Sequence, residues 1–371
     1  MKGTPRSLRQ RRGGMFKARA VAAVAVLAVG LSACGSGGSG GDVTEVPTAA
    51  AGQDPLAPRP LEEKATVTVG LSSKLEVYLP ILLAQEFGEF EKENLEVKVE
   101  YLPPTDSSLL LTQGELDVVY SGFTAGVLNL VSRNDDVKFA YPGGTASGDQ
   151  QGIYLNTKSF PDADNLKGED FRGKKFMTSS GTASSTSYFL WKRVTELPGG
   201  AGIKPTDLKF EAAKLPEIPL ILKNGAAAGG QIVSPNHTTL VGDKCCKVFE
   251  GAYPTTPQTG YLVGRSLSGK KDVAAALFRA MARVEKTHLQ GNYHENEKIL
   301  TAMAKVLEQD AGVLAKGDPV VFNPALATNA EVFPELQKFF REFGDVSYEE
   351  DLPTDQIYDT AYIESLGAKA T

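Results

Sequence analysis

The stretch Val67-Thr68-Val69-Gly70-Leu71-Ser72-Ser73-Lys74 introduces the pattern from which the fold follows. Its first five residues are rich in β-branched side chains and lead into small residues, which is typical of a buried strand followed by a turn. Apolar residues then recur at helical spacing from 79 to 90. Leu95-Glu96-Val97-Lys98-Val99-Glu100-Tyr101 alternates apolar and polar residues and predicts a second strand. The unit is therefore strand, helix, strand.

The same alternation continues along the chain. Further strands are predicted at 116–120, 137–141, 153–155, 174–177, 208–210, 231–233, 247–249 and 261–263, and the last helices at 273–284, 299–306 and 332–343. A Gly-rich passage at 143–152 interrupts the pattern. This organisation predicts an α/β protein with two lobes, each a mostly parallel sheet flanked by helices.

The N-terminus predicts export. Residues 1–19 contain seven Lys and Arg and no acid. The apolar run at 20–31 is shorter than the roughly 20 residues needed to span a bilayer, but it suits a secretory signal. Leu31-Ser32-Ala33-Cys34 then resembles the lipobox of bacterial lipoproteins. That resemblance implies that residues 1–33 are a signal peptide and that Cys34 is diacylated. A plain signal peptide is the alternative, and Met15 is an alternative start.

The chain after Cys34 is rich in Gly and Ser and then in Pro, Ala and Thr. Such composition favours flexible or extended chain. Residues 34–63 are therefore predicted to be a flexible tether between the lipid anchor and the folded body.

The charge balance of the mature chain excludes some partners. The sequence has 39 Lys and Arg against 45 Asp and Glu, and seven of the basic residues belong to the signal peptide, leaving 32 against 45 and a net charge near −13. This argues against nucleic acid as a partner and against a basic membrane-binding surface. An anionic ligand would need a local positive site.

Hydroxyl-rich loops follow four of the predicted strands, at 72–74, 121–124, 178–185 and 234–237. In open α/β sheets, ligands bind beyond the carboxyl ends of the strands, where helices begin. Ser and Thr are also ordinary helix caps, so one such loop by itself indicates little. Four of them at successive strand ends predict a binding cleft.

The pattern resembles the type II periplasmic binding proteins, especially the family that serves nitrate, sulfonate, taurine and thiamine-precursor uptake. The resemblance is carried by residues 67–71, 84–95, 113–118 and 179–182. It implies a first lobe of residues 64–148 and 257–371 and a second lobe of residues 149–256. Hinges are expected near Gly148–Gln151 and Pro254–Gly260.

The resemblance also implies a role and a site. The protein would be a monomeric, lipid-anchored solute-binding component of an ABC importer on the extracytoplasmic face of the cell membrane. It would deliver a small polar or anionic ligand to the permease and ATPase, without metal or cofactor. The expected ligand contacts are Ser73, Lys74, Ser121, Gly122, Ser180, Thr182, Ala183 and Asn236. Lys74 is the cation expected to neutralise an anionic ligand, although it is equally a candidate surface lysine.

Two alternatives remain at this point. A related thiamine-pyrimidine synthase is an enzyme that uses His and a Cys-rich patch with iron, and His237, Cys245 and Cys246 lie in one segment here. Adjacent cysteines suit a single metal ion poorly, and metal sites favour spacings such as C-x₂-C, so we expect no catalysis. The second alternative is a tethered lipoprotein that senses the ligand, which the sequence does not separate from transport.

Overall fold

Two five-stranded sheets form the framework of the protein. The structure is a computed structural model that describes residues 42–145, 151–234, 236–240, 243–252, 257–323 and 332–368. The strands are β1 Ala65–Leu71, β2 Leu95–Tyr101, β3 Val118–Gly122, β4 Lys138–Pro142, β5 Gly152–Asn156, β6 Lys175–Thr178, β7 Lys209–Ala212, β8 Gly229–Ile232, β9 Cys246–Val248 and β10 Thr259–Val263. The predicted Cys34 and residues 1–33 lie outside the described residues.

The helices alternate with these strands along most of the chain. They are α1 Leu79–Glu86, α2 Pro104–Gln113, α3 Ala125–Val131, α4 Ser185–Thr195, α5 Ile218–Lys223, α6 Lys271–His288, α7 Glu297–Leu307, α8 Ala311–Leu314, α9 Val332–Glu342, α10 Thr354–Ile357 and α11 Ala361–Glu364. Short 3₁₀ turns, among them Glu76–Tyr78, Glu91–Glu93, Gly181–Ala183, Leu215–Glu217 and Asn236–Thr239, connect several of them. No helix of the described residues is long and apolar enough to cross a bilayer.

The strand order confirms the predicted α/β architecture of two lobes. The first sheet, β2-β1-β3-β10-β4, defines lobe 1, and the second, β7-β6-β8-β5-β9, defines lobe 2. In each sheet four strands run parallel and one runs against them. The reversed strands are β10, which pairs antiparallel with β3 and β4, and β5, which pairs antiparallel with β8 and β9. Strand β5 is the first that the chain forms on entering lobe 2, and β10 is the first that it forms on returning to lobe 1.

The chain passes between the lobes twice, between β4 and β5 and again between β9 and β10. The hinges predicted at Gly148–Gln151 and Pro254–Gly260 fall in these two passages. Residues 148–150 and 254–256 lie outside the described residues, so the hinges stay a prediction.

Lobe 1 is held together by an apolar core and by a buried ion cluster. Helix α1 packs against α6, whose inner face includes Leu277, Met281 and Val284 at 0% exposure. Beside this face the buried Glu93 carboxylate accepts hydrogen bonds from Arg279 and Arg283 of α6. Removing one member of such a buried pair costs about 3–5 kcal/mol, because the other charge is left uncompensated.

Residues 42–63 lie along lobe 1, which differs from the predicted flexible tether. Val43 forms a bridge with Lys270, and Leu56 is 8% exposed. The carbonyl of Leu56 accepts from Arg283, and the carbonyl of Arg59 accepts from Arg279. The guanidinium groups of Arg279 and Arg283 thus bind these backbone carbonyls as well as Glu93. They hold in place a Pro-rich segment that its composition alone would predict to be flexible.

Helix α9 contacts both lobes. Its Phe333 lies 5.0 Å from the Phe123 ring of lobe 1, measured between ring centroids. Six residues later, Phe339 lies 5.8 Å from the ring of Tyr188 and 5.8 Å from that of Trp191, both on α4 of lobe 2. An exposed ion pair between Lys192 and Glu335, at 2.8 Å, joins the same two helices. The C-terminal region is thus attached to both halves of the molecule.

Candidate ligand-binding cleft

A cavity of about 440 Å³ lies between the two lobes. Both sheets present the carboxyl ends of parallel strands to it, which is where helix starts and turns leave polar groups free. The lining residues described by the structure are Ser72, Leu75, Val77, Tyr78, Pro104, Ser108, Tyr120, Ser121, Gly122, Thr124, Gly126, Val127, Gly144, Thr145, Gln258, Thr259 and Val320 of lobe 1, with Gln151, Ser179, Ser180, Ala183, Leu215, Gln231, Val233 and Ser234 of lobe 2.

The lobe 1 wall carries two tyrosine rings. Tyr78 and Tyr120 make an edge-to-face contact, with ring centroids 4.8 Å apart. Both hydroxyls are engaged beside the rings: that of Tyr78 lies 2.7 Å from Ser72 Oγ, and that of Tyr120 lies 2.5 Å from Thr259 Oγ1. Because the hydroxyls are held by neighbours, the rings themselves form a fixed apolar part of the wall.

The lobe 2 wall is built on two glutamines. Gln231, at the end of β8, accepts with Oε1 from the backbone N–H of Ser179 at 3.3 Å. Gln151, at the start of β5, accepts with Oε1 from the backbone N–H of Ser234 at 3.1 Å. These bonds tie the loops after β6 and β8 to the sheet and fix the orientation of both amides.

Glu76 links the two lobes behind the cavity lining. Its side chain is 1% exposed, and it lies in the 3₁₀ turn after β1. Its Oε2 accepts from Ser234 Oγ of lobe 2 at 3.0 Å. Its Oε1 accepts from three lobe 1 groups, the Tyr293 hydroxyl at 2.6 Å, the Val320 N–H at 3.0 Å and His294 Nε2 at 2.8 Å.

The partners of Glu76 determine its protonation. Burial raises the pKa of Glu76, but the hydrogen bond and charge of His294, with the other donors, outweigh burial and leave the pKa below its usual value. Burial lowers the pKa of His294, and Glu76 more than compensates, so that pKa is raised. Below the raised pKa of His294 the two therefore form an ion pair, with the carboxylate nearer the groups that line the cleft.

His237 lies close to this pair but does not line the cavity. It is 1% exposed, and neither ring nitrogen has a hydrogen-bond partner among the described residues. Burial lowers the pKa of His237, against the pull of Asp318 and Glu76. Its ring approaches Gly317 so closely that a Cβ there would lie 3.2 Å from His237 Cε1. A neutral imidazole packed on backbone is poorly placed for acid–base chemistry in the cleft.

Four of the eight residues predicted from the sequence line the cavity: Ser121, Gly122, Ser180 and Ala183. The other four, Ser73, Lys74, Thr182 and Asn236, are absent from the described lining. Lys74 Nζ instead lies 2.5 Å from Glu308 and 5.7 Å from the centroid of the Tyr101 ring. The Asn236 Nδ2 is buried and has no hydrogen-bond partner among the described residues.

Sequence reasoning missed several residues of the cleft. Tyr78, Tyr120, Gln151 and Gln231 line it, and Glu76 connects its two walls. Tyr120 ends the predicted strand 116–120, but Gln231 begins the predicted strand 231–233 and Gln151 precedes the one at 153–155, so these residues share no single position relative to the strands. The prediction considered mainly the Ser-rich and Thr-rich loops after strands, and so it did not include these residues.

No metal centre is formed by the described residues, since none of their His, Cys, Asp and Glu side chains gather in groups of three that could hold an ion. Cys245 and Cys246 are joined by a disulfide and pack beside the small apolar cluster that contains Met177, Ile218 and Leu222. His237, the third residue of the synthase-like alternative, has its ring against Gly317.

No protein-family model matches the chain, and no curated protein matches it either. Solved structures do. The alkanesulfonate-binding protein SsuA of Xanthomonas axonopodis pv. citri, bound to MOPS, is 14% identical with a TM-score of 0.58, and the match covers 81% of this chain and 100% of that one. SsuA of Escherichia coli is 16% identical with a TM-score of 0.54, over 80% and 99% of the two chains.

The periplasmic nitrate-binding protein NrtA of Synechocystis PCC 6803 is 13% identical with a TM-score of 0.59, over 83% of this chain and 89% of that one. At such identities the similarity concerns the fold, and it extends over nearly the whole length of each of these proteins. The chain therefore has the same two-lobe fold as these periplasmic binding proteins. This confirms the fold that the resemblance in the sequence predicted.

Proposed function

We propose that the protein is a lipid-anchored, extracytoplasmic solute-binding protein that captures a small molecule between its lobes and delivers it to the permease and ATPase of an ABC importer. The observation that carries the proposal is the cavity of about 440 Å³, to which both lobes contribute strand-end residues. A solute there contacts both lobes only when they are closed, so its binding energy shifts the equilibrium toward the closed form.

The interlobe hydrogen bond from Ser234 to Glu76 supports this mechanism. It is available only while the walls are together, and it is made to a charged acceptor, which strengthens it. The permease pair would recognise the closed shape. The protein would act as a monomer, since each chain supplies both walls.

The chemistry of the lining favours binding over catalysis. The described lining contains no His, Cys, Lys, Arg, Asp or Glu, the side chains that most often act as general acids and bases. His237 and the Cys245–Cys246 disulfide, the candidates for a synthase-like enzyme, lie outside that lining. We therefore propose a protein that releases its ligand unchanged.

The membrane attachment rests on the sequence. Residues 1–33 would be removed, and Cys34 would carry the acyl chains. Because residues 42–63 lie along lobe 1, they would not belong to the flexible part of the tether. Labelling cells with palmitate tests the anchor: the wild-type chain should incorporate label, and Cys34→Ala should not. A labelled Cys34→Ala chain would contradict the assignment.

Uptake and closure test the function itself. The mature protein should become more compact in small-angle scattering when a stabilising solute is added, and deletion of its gene should abolish uptake of that solute. Solute returned chemically changed would indicate an enzyme. Normal uptake with loss of a transcriptional response would indicate the sensing lipoprotein instead.

A further inference from the structure

The charges around the cleft are unusual for a site that would hold an anion. Of the described residues that line the cavity, none is charged. The internal segments outside the described residues, at 146–150, 235, 241–242, 253–256 and 324–331, contain no Lys, Arg or His in their sequence. They supply no cation either.

Lys74 and Glu76, two charged residues that adjoin lining residues in the sequence, are both bound to other groups. Lys74, the cation expected to meet an anionic ligand, is bound to Glu308. Behind the lining, the buried carboxylate of Glu76 bonds to Ser234 and Val320, both of which do line the cavity. An anion would lose its hydration and meet a like charge one residue away, and desolvation of an unpaired ion is costly.

The remaining lining suits an organic molecule. It combines the Tyr78 and Tyr120 rings with eight further apolar residues: Leu75, Val77, Pro104, Val127, Ala183, Leu215, Val233 and Val320. The polar groups facing these are hydroxyls and amides. Gln231 accepts from Ser179 with its Oε1, which leaves its Nε2 as a donor. Such a mixture of apolar walls and a few uncharged polar groups is typical of small-molecule sites.

The volume of the cavity also favours an organic molecule over an inorganic ion. The cavity of about 440 Å³ is within the range of about 300–1,000 Å³ found for organic ligands. A small inorganic ion, comparable to one or two water molecules of about 30 Å³ each, would leave most of this space unfilled.

We propose that the cleft is specific for an uncharged organic molecule, with an apolar, ring-sized part against Tyr78 and Tyr120 and hydrogen-bonding groups directed to the glutamines and hydroxyls of lobe 2. This inference rests on the proposed solute-binding function and narrows it. It departs from the sequence-based expectation that the ligand is small and polar or anionic.

The test is a thermal-shift screen of the mature protein against two sets of metabolites. One set contains uncharged compounds only. The other contains charged compounds, including nitrate, methanesulfonate, taurine and carboxylates. The expected result is stabilisation by members of the uncharged set and none by the charged set. A stabilising anion or zwitterion would overturn the inference while leaving solute binding intact. Silence from both sets would contradict solute binding itself, and the inference with it.

A charge-insertion pair tests the location. Leu215→Lys places an ammonium in the cavity wall, whereas Leu220→Lys places one on a 62% exposed side chain of α5 outside the described lining. Titration calorimetry with the best uncharged compound should give about tenfold weaker binding, near 1.4 kcal/mol, for Leu215→Lys and unchanged binding for Leu220→Lys. Equal affinity in the two variants would show that the compound binds elsewhere and would overturn the proposal.

Discussion

Glu76 and Glu285 are both buried in lobe 1, at 1% and 2% exposure, but their surroundings differ. Glu76 accepts hydrogen bonds from four groups, one of them across the cleft. Glu285, on α6, has an Oε2 with no hydrogen-bond partner among the described residues. Burial raises the pKa of Glu285 to about 8, and the Tyr141 hydroxyl offsets only part of that effect.

The difference teaches that burial alone does not set the charge of a carboxyl group. Burial raises the pKa of both acids, but His294, the Tyr293 hydroxyl and the Val320 N–H reverse the effect for Glu76. Glu76 is therefore ionised near neutral pH and Glu285 is protonated. The ionised acid joins the lobes, and the protonated one fills the interior of a single lobe.

The largest expected effect is that of Glu76→Gln. It leaves the imidazolium of His294 buried without its partner, so we expect a loss of about 3–5 kcal/mol in the free energy of unfolding at pH 6. Urea unfolding measures it. Glu86→Gln, which removes an exposed ion pair with Lys305, is the matched control and should cost less than about 1 kcal/mol. Equal losses in the two variants would contradict the role of the buried pair.

Glu285→Gln should increase the free energy of unfolding, whereas Glu76→Gln should decrease it. The folded pKa of about 8 exceeds the ordinary value of 4.5, so the wild type loses stability as pH rises from 4.5 to 8, while the variant does not. At pH 7 the variant should be more stable than wild type by about 3 kcal/mol, since each pKa unit corresponds to about 1.36 kcal/mol, and at pH 4.5 the two should be similar. Glu342→Gln, at an exposed position on α9, should show no such divergence. A constant difference at all pH values would refute the assignment.

Ser234→Ala removes the one donor to Glu76 that the described part of lobe 2 provides. A hydrogen bond to a charged group contributes about 1.5–3 kcal/mol. Since it forms only between closed lobes, the loss should appear mainly as about tenfold weaker solute binding, measured by titration calorimetry. Ser268→Ala, exposed on lobe 1, is the control. Unaltered affinity would mean that the hydrogen bond between Ser234 and Glu76 does not stabilise the closed form.

The pH dependence of the ion pair gives the smallest effect. Glu76, with its lowered pKa, contributes stability above about pH 4.5 and loses it as pH falls through its folded pKa. His294, with its raised pKa, contributes fully below about pH 6.5 and loses this as pH rises through its folded pKa. The stability difference between wild type and His294→Gln should therefore be greatest between pH 4.5 and 6.5. A difference that grows steadily up to pH 9 would exclude the pair.

The fold could be predicted from local pattern, whereas much of the site could not. Alternating apolar residues in Leu95–Tyr101 and helical spacing in α6 arise from neighbours in the chain, so they are visible in the sequence. Four lining residues could be predicted because they lie just after predicted strands: Ser121, Gly122, Ser180 and Ala183. The network of Glu76 joins residues 158 to 244 positions away in the sequence, and no local pattern encodes it. Lys74 was expected to face the ligand because its competing partner, Glu308, is equally distant.

Helix α9 has a consequence for how the cleft opens. Because Phe333 contacts Phe123 of lobe 1 and Phe339 contacts Tyr188 and Trp191 of lobe 2, the halves cannot swing apart without parting aromatic rings on one side. Every square ångström of apolar surface so wetted costs about 25 cal/mol. These contacts therefore add to the free energy that favours the closed form, and a bound solute supplies the remainder that completes closure.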